Sequence, residues 1–171
     1  MTSRWMSIGV FLILALLCLP PAVRAQKLVF VARHAERADS GAPGMPAQAD
    51  PPLSAAGEAR AAMLAAMLGD AGIRAIYVTE FRRTQDTARP LAERLGLSAR
   101  KLPSGDTGEL IGRLRAEHAN DIVLVVGHSN TVAAIIQALG GPEVTIADNE
   151  FDNLFIVVPG TGTLTRIRFK P

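Results

Sequence analysis

Asp121-Ile122-Val123-Leu124-Val125-Val126-Gly127 is an apolar run closed by a glycine, and its reading decides the fold class. A strand wetted on one face alternates apolar and polar side chains, whereas a run that is apolar throughout is buried on both faces, as in a parallel sheet covered by helices. Directly after it, Val132, Ile135, Ile136 and Leu139 recur at helical spacing and stop at Gly140-Gly141-Pro142, so the strand feeds an amphipathic helix. Towards the N-terminus, Lys27 to Ala32 and Ile73 to Thr79 are further apolar strands. Leu53 to Leu68 reads as a helix capped by Ser54, with Met63 and Met67 as core filler. Phe81 onward is helical, with Thr87, Ala88, Leu91 and Leu95 on one face, and Pro90 is expected to kink or split it. Asp106 to His118 is a helix that opens with Asp106 and Glu109 as a capping box and points Leu110, Ile111 and Leu114 inward. Asn153 to Val158 and Leu164 to Phe169 flank Pro159-Gly160-Thr161-Gly162, a hairpin. Strands alternating with helices predict an α/β fold: a three-layer α/β/α sandwich with a mostly parallel central sheet and an antiparallel C-terminal edge hairpin.

Residues 1–25 have the layout of a secretory signal peptide: Arg4 in a polar start, an apolar stretch from Ile8 to Leu19, then Pro20-Pro21-Ala22-Val23-Arg24-Ala25. Cleavage is expected between Ala25 and Gln26. The 12-residue apolar stretch is short of the roughly 20 residues that span a bilayer, which favours a removed address over an uncleaved anchor. Residues 26–171 then form one domain, located in the periplasm or secreted, with no stable membrane insertion after cleavage. Cys18 is the chain's single cysteine and leaves with the leader, so the mature domain has neither a disulfide framework nor a thiolate metal site. The leader also takes Arg4 and Arg24 and no acidic residue, leaving 16 basic residues against 16 acidic ones. Such neutrality argues against a general nucleic-acid-binding surface, and the 5% aromatic content against a base-stacking platform. Positive charge must act locally.

It is concentrated at strand ends. Arg33-His34 follows the first strand, Arg82-Arg83 the strand ending near Thr79, and His128 the strand ending at Gly127. Ligands of open α/β sheets bind beyond the carboxyl ends of the strands, so all three groups are expected on one rim. The arginine pair and His128 also open helices, whose first N–H groups favour an anion. Guanidinium and imidazole donors match the oxygens of a phosphate, and an imidazole there can serve as nucleophile. Ala38 to Pro52, rich in Gly, Pro and Ala, leaves directly from the histidine motif as a long loop; a functional segment and a bland surface excursion both fit it.

In these residues the chain resembles the histidine phosphatase superfamily, the phosphoglycerate-mutase-like enzymes. Arg33-His34-Ala35-Glu36 is similar to its Arg-His-Gly-Glu hallmark, Leu53-Ser54-Ala55-Ala56-Gly57 to its Leu-Thr-x-x-Gly, the segment Thr79 to Ala88 to its Ser-Pro-Leu-x-Arg-Ala-x-Gln-Thr-Ala, and Val125 to Ser129 to its second-histidine motif. The resemblance implies that His34 attacks phosphorus to form a phosphohistidine that water cleaves, and that Arg33, Arg83, His128 and Ser129 hold the phosphoryl oxygens, with no metal and no cofactor required. Nearby positive charge is expected to keep His34 neutral, with its second nitrogen held by a backbone carbonyl or a carboxylate. Ala35 stands where the family has glycine and Glu80 where proline is common. The proton donor varies in place between branches of the family; Glu80 is chosen here, with Asp106, Glu150 and Asp152 as alternatives. The Arg33-His34-Ala35-Glu36-Arg37 opening is similar to that of a small exported bacterial branch that includes phosphatases of lipopolysaccharide-core heptose.

The leading expectation is therefore an exported phosphoric monoester hydrolase whose partner is a small phosphorylated substrate, phosphorylated sugars among the candidates. A mutase reading is weaker, since no large capping insertion is present, and export disfavours phosphoproteins. The alternative from another class is a non-catalytic phosphate-binding or interaction module on the same fold. Arg82 is read as solvated, Glu36 as a brace for the loop or an arginine, Asp106 as a helix cap first, and His118 as a helix-end residue without chemistry.

Overall fold

The computed structural model describes residues 28–38 and 50–170; the proposed leader and the interior of the Ala38–Pro52 loop lie outside the described residues. Six strands form one sheet: β1 (Leu28–Arg33), β2 (Ile73–Thr79), β3 (Arg100–Leu102), β4 (Ile122–Gly127), β5 (Asn153–Val158) and β6 (Thr163–Arg168). Helices α1 (Ala55–Leu68), α2 (Arg82–Leu95), α3 (Thr107–Glu117) and α4 (Ser129–Ala138) connect them. The strand order is β3-β2-β4-β1-β5-β6. β3, β2, β4 and β1 run parallel, while β5 pairs antiparallel with β1 and β6 with β5. This is the expected three-layer α/β/α arrangement with its antiparallel edge hairpin.

Successive strand residues point to opposite faces, and both faces are covered. Val29, Val31, Val123 and Val125 pack with Leu110, Ile111 and Leu114 of α3 and Val132, Ile135 and Ile136 of α4. Phe30, Ala32, Leu124 and Val126 pack against Leu64 and Leu68 of α1 and Ala88 and Leu91 of α2. That double burial is why β4 reads as a continuous apolar run. The sheet's free edges are blunted by the three-residue length of β3 and by Arg166 and Arg168 on β6, features that discourage edge pairing between molecules.

Several local readings change. α1 starts at Ala55 because Ser54 caps it, accepting from the Gly57 amide at 3.1 Å, and Leu53 instead forms an antiparallel bridge with Arg37. Met67 is not core filler: it is 39% exposed, because the buried side of α1 is carried by Gly57, Ala61, Leu64, Ala65 and Leu68. Pro90 does not split α2, which continues to Leu95, held by its Ala88, Leu91 and Ala92 contacts. Only half of the capping box forms on α3: Asp106 accepts from the Glu109 amide at 2.9 Å, while the Glu109 carboxylate turns to Arg113. Among the described residues no helix is long and apolar enough to cross a membrane.

The chain after β1 is pinned at a close approach. Ser54 donates its amide to the Glu36 carbonyl at 2.9 Å, and a Cβ on Gly57 would lie 2.2 Å from that same oxygen. Only a residue without a side chain lets α1 start so near the Arg33–Glu36 segment. Gly57→Ala is expected to lower stability by about 1–3 kcal/mol, read as a fall in the denaturant midpoint.

Candidate active site

The register of two strands places the first pair of groups. Arg33 on β1 stands opposite Gly127 on β4, and the His34 amide extends the ladder by donating to the Gly127 carbonyl at 2.9 Å. The next residues, His34 and His128, therefore emerge side by side, their ring centroids 5.3 Å apart. Strand β2, on the other side of β4, ends at Thr79 and leads to Arg83 in the first turn of α2. Arg83 Nη2 is 3.3 Å from His128 Nδ1, and its Nη1 is 3.4 Å from Asp50. Arg33, His34, Arg83, His128 and Ser129 all line one cleft of about 760 Å³.

Both imidazoles have definable protonation. His34 Nδ1 lies 2.8 Å from the Ala35 carbonyl, which can only accept, so Nδ1 carries the proton and Nε2 keeps its lone pair. The expected backbone brace is present. Burial is the main force on this ring and, with the positive charges of His128, Arg83 and Arg33 adding to it, pushes its pKa down to about 3. Neighbouring charge is thus the lesser cause. Arg83 can only donate, so His128 Nδ1 accepts and Nε2–H points to the Thr79 hydroxyl at 3.0 Å. Thr79 and Thr84 hydroxyls are 2.9 Å apart, and Thr84 donates to the Phe81 carbonyl at 2.8 Å. Burial, then Arg83, pushes the His128 pKa down to about 4.

Arg33 does two jobs. Its Nη1 donates to the carbonyls of Ala147, Asp148 and Glu150 at 3.0, 2.9 and 3.1 Å, holding that turn against the cleft. Its Nε is buried without a hydrogen-bond partner among the described residues, a costly state for a guanidinium that a bound anion would relieve. Phe151 lies 4.1 Å beneath this guanidinium, and Phe81 lies 4.2 Å from that of Arg83, favourable cation–π placements that orient both cations.

A comparison with protein-family models matches residues 29–104 to the histidine phosphatase superfamily (branch 1), the stretch that carries Arg33, His34 and Arg83. Over those residues the chain is similar to the histidine phosphatase superfamily. The Yersinia enterocolitica protein named "Probable phosphoglycerate mutase GpmB" is 36% identical over 69 residues, which are 40% of this chain and 32% of that protein; the match thus spans about a third of the relative's length. Among solved structures, the protein histidine phosphatase SixA complexed with tungstate is 24% identical, with a TM-score of 0.63, covering 82% of this chain and 94% of that one. A mycobacterial glucosyl-3-phosphoglycerate phosphatase complexed with VO3 is 19% identical, with a TM-score of 0.57, covering 75% and 90%. These two likenesses show the fold.

The carboxylates considered as donors are dispersed around this cleft. Glu80 is exposed at its rim, accepting from the amide and hydroxyl of Ser104 at 2.7 and 3.0 Å. Asp106 caps α3. Glu150 pairs with Arg166 and Arg168, and Asp152 with Arg168. Glu36 braces Arg60, as read from the sequence; burial raises its pKa, but the Arg60 hydrogen bonds outweigh that and hold it below the usual range. Arg82 is exposed and pairs with Asp86. His118 sits outside the cleft, buried between Asp121 and Tyr77. Among the described residues no group of three or more His, Cys, Asp or Glu is arranged to hold a metal.

Sequence reasoning missed the residues that support this site. Thr87 accepts from the Ala35 amide at 2.9 Å and donates to the Arg83 carbonyl at 2.7 Å, tying the His34 segment to α2; a threonine inside the Arg83–Ala88 motif was the available signal. The Ala35 methyl, where the family has glycine, is fully buried with Leu53 and Ala61. Asp50, at the end of the glycine- and proline-rich loop, accepts from the Arg82 amide as well as from Arg83, so that end of the loop belongs to the site.

The depressed histidine pKa values set a pH dependence. Both groups are protonated in the unfolded chain below about 6.5 but stay neutral in the fold until about 3 and 4, so the unfolded state binds more protons in that window. Stability is then expected to fall as pH drops from about 6.5 towards 4, by up to about 1.4 kcal/mol per pH unit per histidine. Denaturant titrations from pH 7.5 to 4 check this, and His128→Gln should flatten the slope.

Proposed function

We propose that the protein is an exported, metal-independent phosphatase that hydrolyses a small phosphomonoester through a covalent phosphohistidine on His34. The observation that carries this reading is the neutral His34 ring, with its Nδ1 proton committed to the Ala35 carbonyl and its Nε2 lone pair available in a cleft lined by Arg33, Arg83 and His128. Nε2 attacks phosphorus, the P–O bond to the leaving group breaks, and the guanidiniums take up charge on the equatorial oxygens. Water then attacks the phosphohistidine, the P–N bond breaks, and inorganic phosphate leaves with His34 neutral again. The arriving dianion's charge opposes the burial that keeps His128 neutral, which favours the protonated ring as an additional donor.

The match of residues 29–104 to the histidine phosphatase family model supports phosphoryl chemistry on His34, and similar solved structures that hold tungstate and VO3 support an oxyanion as occupant. Hydrolysis is favoured over mutase chemistry because Asn130, Asp148 and Asn149 line the cleft and are exposed, giving water a route to the intermediate. Phosphorylated sugars are candidate substrates on the resemblance to the exported branch. Export rests on the leader-like N-terminus.

Rapid-quench mixing with a phosphate ester should trap acid-labile phosphate on His34, and His34→Asn should abolish label and turnover. Arg83→Ala should lower turnover about 10²–10³-fold. Chelators should leave the rate unchanged. Phosphate binding without label or turnover would instead identify a non-catalytic phosphate-binding module. For export, mass spectrometry of the protein recovered from the periplasm or medium should find a mature chain beginning at Gln26.

A further inference from the structure

The phosphatase reading leaves open which group protonates the departing alcohol. We propose that this group is the carboxyl of Asp148, a residue not singled out by sequence motif, and that Arg33 positions it. The inference rests on the phosphatase reading above.

Asp148 is the single carboxylate-bearing residue among those described that line the cleft with His34, His128 and Arg83. Its side chain is exposed and makes no hydrogen bond or ion pair among the described residues. Its backbone, by contrast, is fixed: the Arg33 guanidinium holds the carbonyls of Ala147 and Glu150 as well as that of Asp148 itself, and the turn is closed by Glu150, whose amide donates to the Ala147 carbonyl and whose carboxylate accepts from the Ala147 amide. The same guanidinium carries the unpartnered buried Nε that faces an anion's needs. One side chain thus links the phosphate cradle to the turn that bears Asp148. An acid here has a fixed backbone and a solvent-exposed side chain beside the cleft.

The competing carboxylates are committed to other partners. Glu80 receives two hydrogen bonds from Ser104. Asp50 receives the Arg82 amide and the Arg83 guanidinium. The Ala147 amide and then Arg168 hold the Glu150 carboxyl below the usual range. Asp106 is spent on capping α3, and Asp152 is bonded to Arg168.

The step balances. As His34 Nε2 bonds to phosphorus and the ester P–O bond breaks, the leaving oxygen takes the Asp148 proton and departs as an alcohol. The resulting carboxylate takes a proton from the water that attacks the phosphohistidine, and inorganic phosphate and protonated Asp148 are regenerated. General acid assistance matters in proportion to the basicity of the leaving oxygen. Asp148→Asn should therefore lose on the order of 10²–10⁴-fold in kcat/KM on an alkyl ester such as glycerol phosphate and less than tenfold on p-nitrophenyl phosphate. Phosphohistidine should still form from the latter. An equal loss on both esters, no loss on either, or the selective loss appearing in Glu80→Gln but not in Asp148→Asn overturns the assignment. If the wild-type protein hydrolyses neither ester and takes no label, the phosphatase reading fails first and the donor assignment falls with it.

Discussion

The parallel pairing of β1 with β4 is the contact on which the site depends. Each strand ends where its histidine begins, so the register that sets Arg33 opposite Gly127 also sets His34 beside His128. A slip of one residue moves a strand by about 3.3 Å and turns every side chain to the other face. That displacement is large against a ring separation of 5.3 Å. Packing on both faces resists it: Val31 and Val125 are committed to the α3–α4 side, and Ala32 and Val126 to the α1–α2 side. The apolar core is therefore what aligns the polar groups at its edge.

Gathering two guanidiniums and two imidazoles in one partly buried cleft is electrostatically unfavourable unless the repulsion is relieved. Burial relieves it in the histidines by keeping both rings neutral. Arg33 is stabilised by three carbonyls and Arg83 by Asp50. The four groups are thus held in shape by contacts within the protein, so little reorganisation would be left for binding an anion. The threonines extend the same logic outward: Thr79 and Thr84 orient His128, and Thr87 joins the amide after His34 to the turn that presents Arg83.

These supports also connect the two halves of the cleft. The family match covers residues 29–104, while His128 and the Ala147–Glu150 turn come from the chain beyond it. Arg33 joins them, because its guanidinium reaches across to carbonyls more than a hundred residues later. A residue expected only to grip phosphate also organises the opposite wall.

The sequence by itself determined the sheet and helix alternation, the strands of the core and the convergence of Arg33, His34, Arg83 and His128 on one rim, because each rests on local pattern: apolar runs, helical spacing and charged residues directly after strand ends. It carried no signal for β3, whose three residues are too few for any periodicity and which forms by pairing with β2. It misplaced Met67, since helical spacing identifies a stripe but not where a neighbouring surface stops covering it. Tertiary structure alone decided which carboxylate-bearing residue lines the cleft. Glu80 follows a site-facing strand and still turns to Ser104 at the rim, whereas Asp148 lies in an irregular turn that is brought in by Arg33. Strand direction can be read along the chain; the aim of a carboxylate depends on donors supplied from distant segments, and only the folded chain brings those together.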